Sequence, residues 1–261
     1  MASGRTAGLG RVVDVAAYLD RIGFEGSRSA TAETLRALHR AHMFTVPFEN
    51  LDIALGRTIV CDESRFLHKV IHERRGGFCY ELNGAFAALL REIGFQVTLL
   101  SARVSRSDGS EGPDFGHLAL RVDLAHPWLV DVGFGDSFVE PLDLKPGLEQ
   151  EQSGRRYGIA VRDGRYYYAA NSDGAWKEQY SFTLQPRRLA DFAAMCHFHQ
   201  TSPDSHFTCQ RICSLATADG RISLSDDKLI ETRNGKREER LLNEAESKAV
   251  LAERFGIKLP T

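Results

Sequence analysis

Cys79 is the residue whose surroundings speak most clearly of chemistry. It stands in the run Arg74-Arg75-Gly76-Gly77-Phe78-Cys79-Tyr80-Glu81-Leu82-Asn83-Gly84, where two glycines leave the backbone free to turn sharply and the cysteine then opens a helix. A thiol at a helix start faces backbone N–H groups without intrahelical partners and the positive end of the macrodipole, and both favour the thiolate. A lone cysteine on an apolar helix is more often a small buried hydrophobe. The glycine pair and the helix-start position reverse that balance. A reactive thiolate also needs a base or ion-pair partner, normally a histidine steered by a carboxylate or amide. Among nine histidines, His117 opens the apolar strand pattern His117–Asp123 directly after a polar loop. Asp131 closes another strand pattern, before the turn Gly133-Phe134-Gly135. Neighbouring antiparallel strands would bring the two into hydrogen-bond reach. A His–Asp pair is more often structural than catalytic, and spacing does not decide between the roles.

A second constellation, Cys196, His197, His199, His206, Cys209 and Cys213, raises a metal hypothesis. Zinc needs four N or S ligands converging on one point. With Phe207–Ala216 read as a strand, Cys209 and Cys213 stand about 13 Å apart at ~3.3 Å per residue and cannot share an ion. No metal is expected.

The elements that must position these residues follow from periodicity. Apolar residues recur at helical spacing from Val12 through Leu19 to Ile22, closed by Gly23. The pattern returns through Leu35, Leu38 and His42 after a cap at Thr31, with Pro47 ending it. A third helix runs from about Asp62 to Ile71 and a fourth from Cys79 to Ile93, closed by Gly94. Beyond Gly94 the pattern becomes short strands at Phe95–Val104, His117–Asp123, Trp128–Val132, Tyr157–Val161, Arg165–Ala170 and Gln179–Leu184, with turn chemistry at Asp163-Gly164 and Ser172-Asp173-Gly174. That spacing suggests a small barrel or sandwich. A helix at about Leu189–Gln200, strands near Phe207–Ala216, Ile222–Ser225 and Leu229–Thr232, and a last helix near Glu244–Phe255 complete the chain. Ser105–Asp114 and Lys145–Arg156 read as loops.

Composition bounds the function. With 261 residues, 43% of them hydrophobic, the chain can bury a sizeable core. Thirty-three Lys+Arg against 35 Asp+Glu give a net charge of -2, which provides no global field for nucleic acid or an anionic membrane. No apolar run approaches the roughly 20 residues that span a bilayer. The first residues lack the apolar core of a signal peptide, so a cytoplasmic location is expected. Five irregularly spaced cysteines read as thiols, not as a disulfide framework.

Five segments together resemble the arylamine N-acetyltransferase family. They are Pro47-Phe48-Glu49-Asn50-Leu51, the run from Arg75 to Asn83, His117, the segment Asp131–Gly135, and Phe198–Phe207. The resemblance runs from about residue 11 to at least 210 and weakens over the last fifty residues. It implies an α+β fold: an N-terminal helical bundle (1–94) carrying the nucleophile, a central β-barrel (95–188) carrying the histidine and aspartate, and a C-terminal α/β lid (189–261), around a cysteine-protease-like catalytic core. Cys79 resembles the family's acyl-accepting nucleophile, His117 its base and ion-pair partner, and Asp131 the residue that orients the imidazole. Phe48, Val104, Phe134 and Phe207 match acceptor-pocket positions, although ordinary core is their reading from sequence alone. Gly133 and Gly135 match a turn beside the CoA entrance, and Glu49 and Arg75 look like a structural ion pair. The implied reaction is two-step acetylation of arylamines and arylhydrazines by acetyl-CoA, which acts as co-substrate. The expected partners are therefore small molecules, with no nucleic acid, membrane or metal, and a homodimer is carried as the assembly to test. An amide synthase with the same three residues, a hydrolase, and a catalytically silent binding module are the alternatives.

Overall fold

A computed structural model of the chain describes residues 13–172 and 174–259. Helix α1 (Val15–Arg21) starts where the Asp14 side chain accepts from Ala17 N–H, and α2 (Ala32–Thr45) where Thr31 accepts from Thr34 N–H, so the expected cap is in place. Val12, the first residue of the expected first helix, lies outside the described residues. Strand β1 (Phe48–Glu49) and a short helix α3 (Leu51–Ala54) lead to α4 (Glu63–Leu67), capped by Asp62, which continues as a π-helical turn at His68–His72. Helix α5 (Cys79–Ile93) begins at the cysteine and ends at Gly94, whose φ of 108° suits glycine. Every residue of α5 from Cys79 to Leu90 is buried. A helix covered on all sides in this way is a central one, and each buried Leu or Phe side chain contributes about 1.5–3 kcal/mol. The nucleophile candidate is thus fixed to the most deeply anchored helix of the chain.

Strands β2 (Gln96–Val104), β3 (His117–Asp123), β4 (Pro127–Val130), β5 (Leu142–Asp143), β6 (Gln150–Gln152), β7 (Arg155–Arg162), β8 (Arg165–Ser172) and β9 (Ala175–Phe182) form one antiparallel sheet in the order β5-β4-β3-β2-β9-β8-β7-β6. The sheet curls into a nearly closed barrel. Its end strands β5 and β6 meet through side chains. Gln150 Oε1 accepts from Asp143 N–H at 2.8 Å, and its Nε2 donates to the Asp143 carbonyl at 3.0 Å. Gln152 Oε1 accepts from the N–H groups of Val139 and Glu140, and its Nε2 donates to the Glu140 carbonyl at 2.8 Å. Two primary amides therefore stand in for a ladder. Alternation along β3 sends Leu118, Leu120 and Val122 toward the helices and Ala119 into the barrel core with Tyr168, Tyr180 and Phe182. His117 shares the face of Ala119.

A 3₁₀ turn (Leu189–Phe192) and helix α6 (Ala193–Thr201) follow. Then come α7 (His206–Cys209), β10 (Ile212–Thr217), β11 (Gly220–Ser225), β12 (Lys228–Arg233), β13 (Lys236–Leu241) and α8 (Glu244–Phe255). The second sheet runs β1-β10-β11-β12-β13. Phe48 and Glu49 pair with Ser214 and Cys213, so a segment from early in the chain edges the late sheet.

Four expectations need correction. The strand placed at Phe207–Ala216 starts only at Ile212. Residues 206–209 form a helical turn because Ser205 Oγ accepts from Phe207 N–H, while Thr208 Oγ1 donates to the carbonyls of Ser202 and Ser205. Cys209 and Cys213 therefore lie on different elements, and the strand-spacing argument does not apply to them. The last barrel strand is Ala175–Phe182, not Gln179–Leu184, because hairpin pairing with β8 recruits the exposed residues Trp176–Glu178. The loop placed at Lys145–Arg156 contains β6 and the start of β7, and β13 was not anticipated.

Candidate active site

Cys79 at the start of α5, His117 at the start of β3 and Asp131 just past β4 converge. The antiparallel register of β3 and β4, with Leu120 opposite Val130, sets His117 beside Asp131. His117 Nε2 donates to Asp131 Oδ2 at 2.7 Å. With Nε2 committed to Asp131, Nδ1 is the ring nitrogen left for the Cys79 thiol, which borders the same cavity. All three residues are buried. Burial opposes charge on His117, but the Asp131 carboxylate, its bond to the ring and the neighbouring Cys79 outweigh it and lift the ring to about 10. The imidazolium therefore persists at neutral pH. Burial likewise pushes Asp131 up, yet the charge of His117 and the bonds from His117, Asn83 and Gly133 hold it below the usual carboxylate range.

Asp131 has every acceptor site in use. Oδ2 also takes the Tyr180 hydroxyl at 2.9 Å, and Oδ1 accepts from Asn83 Nδ2 at 2.8 Å and Gly133 N–H at 3.0 Å. Asn83 sits one helical turn after Cys79, and its Oδ1 accepts from Val132 N–H at 2.9 Å. Nucleophile and carboxylate are thereby tied through one side chain. Behind Asp131, His39 donates from Nδ1 to the Val139 carbonyl at 2.9 Å and accepts the Asp131 N–H on Nε2 at 3.3 Å. Burial lowers His39 to about 4, so it is neutral and able to accept. Sequence reasoning did not single out Asn83, Tyr180 or His39. The four-residue spacing from Cys79 was a usable signal for Asn83, whereas Tyr180 and His39 arrive from distant elements without one.

The turn that delivers His117 is pinned as well. Tyr80 donates to the Phe115 carbonyl at 2.7 Å, His199 Nε2 approaches the Gly116 carbonyl at 3.3 Å, and Ser101 Oγ accepts from Phe115 N–H. The glycines before Cys79 have a reason different from a sharp turn. Neither Gly76 nor Gly77 has a positive φ. A Cβ on Gly76 would lie 1.8 Å from the Pro47 carbonyl oxygen, and one on Gly77 would lie 2.6 Å from Glu81 Oε2. At Gly133 a Cβ would meet the Cys79 Cα at 2.8 Å, so close packing against the nucleophile excludes a side chain there.

A cavity of about 710 Å³ opens onto Cys79 and His117. Phe48, Val104, Phe134 and Phe207 all line it, together with Gly133 and Gly135, so every residue expected at the acceptor pocket or CoA entrance borders one space. One wall is aromatic, with Phe134 edge-on to His117 at 5.1 Å and Phe207 tilted against Phe48 at 6.2 Å. Another part of the lining is polar, formed by Ser214, Ser223, Ser225 and Thr232 from β10–β12 with Arg221 and Arg237. Arg221 holds Asp136 Oδ1 at 3.2 Å, a carboxylate also engaged by Arg155.

Glu49 and Arg75 form the expected pair, at 2.7 Å, but within a larger buried set. Arg75 also reaches Asp52 at 3.1 Å, and Lys69 contacts both Asp52 and Glu81 at 2.8 Å. Among the described residues no group of three or more His, Cys, Asp and Glu side chains could hold a metal ion. Nor is any helix there long and apolar enough to cross a membrane.

An α+β fold of this architecture, with a buried cysteine, histidine and aspartate where helix meets barrel, has the cysteine-protease-like core of a transferase class. The family model described as N-acetyltransferase matches residues 31–261. Arylamine N-acetyltransferase of Mycolicibacterium smegmatis is 34% identical, covering 95% of this chain and 93% of its own length. The solved arylamine N-acetyltransferase of Nocardia farcinica is 37% identical, covers 95% of this chain and 90% of its own, and superposes with a TM-score of 0.87. The Mycobacterium marinum enzyme, solved in complex with CoA, is 32% identical with a TM-score of 0.88 over 94% of this chain and 93% of its own. The chain belongs to the arylamine N-acetyltransferase family.

Proposed function

We propose that this protein moves an acetyl group from acetyl-CoA to the nitrogen of an arylamine or arylhydrazine through an acetyl-Cys79 intermediate. The observation that carries the reading is that Cys79 and His117 open onto one cavity while Asp131 holds the imidazole from behind. In the first step Cys79 Sγ, as thiolate, attacks the thioester carbonyl, the bond to the CoA sulfur breaks, and the departing thiolate takes the proton of the His117 imidazolium. In the second, the amine nitrogen attacks acetyl-Cys79, neutral His117 accepts its proton, and the Cys79 thiolate leaves. The first step consumes the thiolate–imidazolium pair and the second restores it. Asp131 keeps the ring oriented and its positive form stabilised.

Arylamines are weak bases and reach the site as neutral nucleophiles, and the wall of Phe48, Phe134 and Phe207 suits a flat ring. The cavity exceeds what an arylamine fills. Its polar wall of hydroxyls and arginines suits the pantetheine and phosphates of acetyl-CoA, and the Mycobacterium marinum relative was solved with CoA. Residues 1–94, 95–188 and 189–261 are read as the three structural units. The separate clustering of the barrel-interior residues supports the middle unit, while the largest cluster draws on all three ranges.

Intact-protein mass after mixing with acetyl-CoA, without amine, tests the proposal. An acetyl-sized adduct is expected on the wild type, absent from Cys79→Ser and cleared by an arylamine. No adduct with acetyl-CoA would overturn it.

A further inference from the structure

We propose that Glu81 is a positioning residue for Cys79, acting by pinning the first turn of α5 from the side away from the substrate cavity. The inference rests on Cys79 being the acyl acceptor. Helix α5 starts with an uncapped end: Phe78 occupies the N-cap position and has no side-chain acceptor to offer. Glu81, three residues on, reaches back instead, and its Oε2 accepts from Phe78 N–H at 3.1 Å. This is one half of a capping box, working without the other. Gly77 is shaped to it, since any Cβ there would collide with the Glu81 carboxylate.

The carboxylate is fixed in turn. Its Oε1 accepts from Lys69 Nζ at 2.8 Å, on the π-helical turn, and Lys69 is bound to Asp52 at 2.8 Å and lies 3.7 Å from Glu49. Arg75 closes the set through Glu49 and Asp52. Two cations and three carboxyl groups share this buried space, so an ionised Glu81 leaves one negative charge in excess and a protonated Glu81 leaves none. Burial accordingly pushes Glu81 up to about 7 against the pull of Lys69. What the site demands of residue 81 is therefore reach and an acceptor oxygen rather than charge.

The test compares Glu81→Gln, which keeps the reach and an acceptor oxygen, with Glu81→Asp, which keeps charge but is one methylene short, and Glu81→Ala. Two rates are read per folded molecule, alongside thermal midpoints. One is acetylation of Cys79 by acetyl-CoA in a single turnover; the other is alkylation of Cys79 by iodoacetamide, followed on its peptide. In the Asp and Ala variants both rates are expected to fall about tenfold with little change in the acetyl-CoA concentration giving half-maximal rate, while Gln stays within about threefold of wild type. Should Ala fail to fold, the Asp and Gln pair decides. Gln as slow as Asp, or wild-type rates in all variants whatever their midpoints, would overturn the assignment. Failure of the wild type itself to take up acetyl while still alkylating would instead sink the acetyl-transfer reading.

Discussion

Replacing Asp131 by Asn alters one atom in a site where every acceptor position is used. If the amide oxygen stays with Asn83 and Gly133, as their N–H groups require, the new NH₂ faces both His117 Nε2 and the Tyr180 hydroxyl. It cannot accept from either. His117 is then driven to carry its single proton on the nitrogen facing Cys79, and burial acts on the ring with no compensating charge. The lift of His117 from 6.5 to about 10 corresponds to roughly 5 kcal/mol favouring the imidazolium. Most of this disappears, so Cys79 acetylation is expected to slow by about 10³–10⁴, the scale on which such a carboxylate matters in nucleophile triads. Single-turnover acetylation gives the rate, and the pH profile of Cys79 alkylation gives the cause. A histidine raised in this way keeps its charge below its folded value and loses it only as pH rises through about 10. With the charge pair proposed for the mechanism, the expected wild-type alkylation profile follows His117 and is flat through the neutral range, whereas the Asn variant is expected to be slow at pH 7 and to climb with pH. A folded Asn variant that acetylates within tenfold of wild type, with the same flat profile, would refute the reasoning.

Two further perturbations follow from the packing around the site. Arg75→Ala leaves Glu49 and Asp52 buried with Lys69 as their remaining buried cation, at a cost of about 3–5 kcal/mol and about 10 °C or more in Tm. Soluble yield should collapse before any specific kinetic defect appears, and wild-type yield with an unchanged Tm would contradict this. Gly133→Ala puts a methyl 2.8 Å from both the Cys79 Cα and Asn83 Nδ2. The helix start must shift, and a misplacement of that kind costs on the order of 10² in rate. Stopped-flow acetylation of a cleanly folded variant at the wild-type rate would show that the start of α5 yields without harm.

What could be read from the sequence follows from how local its cause is. The start of α5 at Cys79, its stop at Gly94, the cap at Thr31 and the β3 boundaries each depend on a few neighbouring residues, and all are where periodicity put them. Strand β13 could not be read because Lys236–Leu241 is exposed along its length and carries no alternation. The turn at 206–209 was misassigned because hydroxyl bonds from Ser205 and Thr208 override an apolar run. Within the site, Cys79, His117 and Asp131 were legible as types in context, and a family resemblance chose them over the other histidines. His39 and Tyr180 were not, for they reach Asp131 across 92 and 49 positions. The buried charges beyond Glu49 and Arg75 were equally hidden, since Lys69, Asp52 and Glu81 look in sequence like the polar faces of three separate helices.

The seam of the barrel has a consequence for how durable that architecture is under mutation. A ladder hydrogen bond belongs to the peptide unit and survives almost any change of side chain. Between β5 and β6 the closure is written instead in two codons. Gln150 and Gln152, the two ends of β6, each present an amide that copies a backbone group, so exchanging either for an apolar residue of equal size removes hydrogen bonds of the closure and leaves the other amide and the interior packing to hold it. The barrel that holds His117 and Tyr180 in place is thus topologically an open sheet, kept round by side chains where a continuous ladder would otherwise close it.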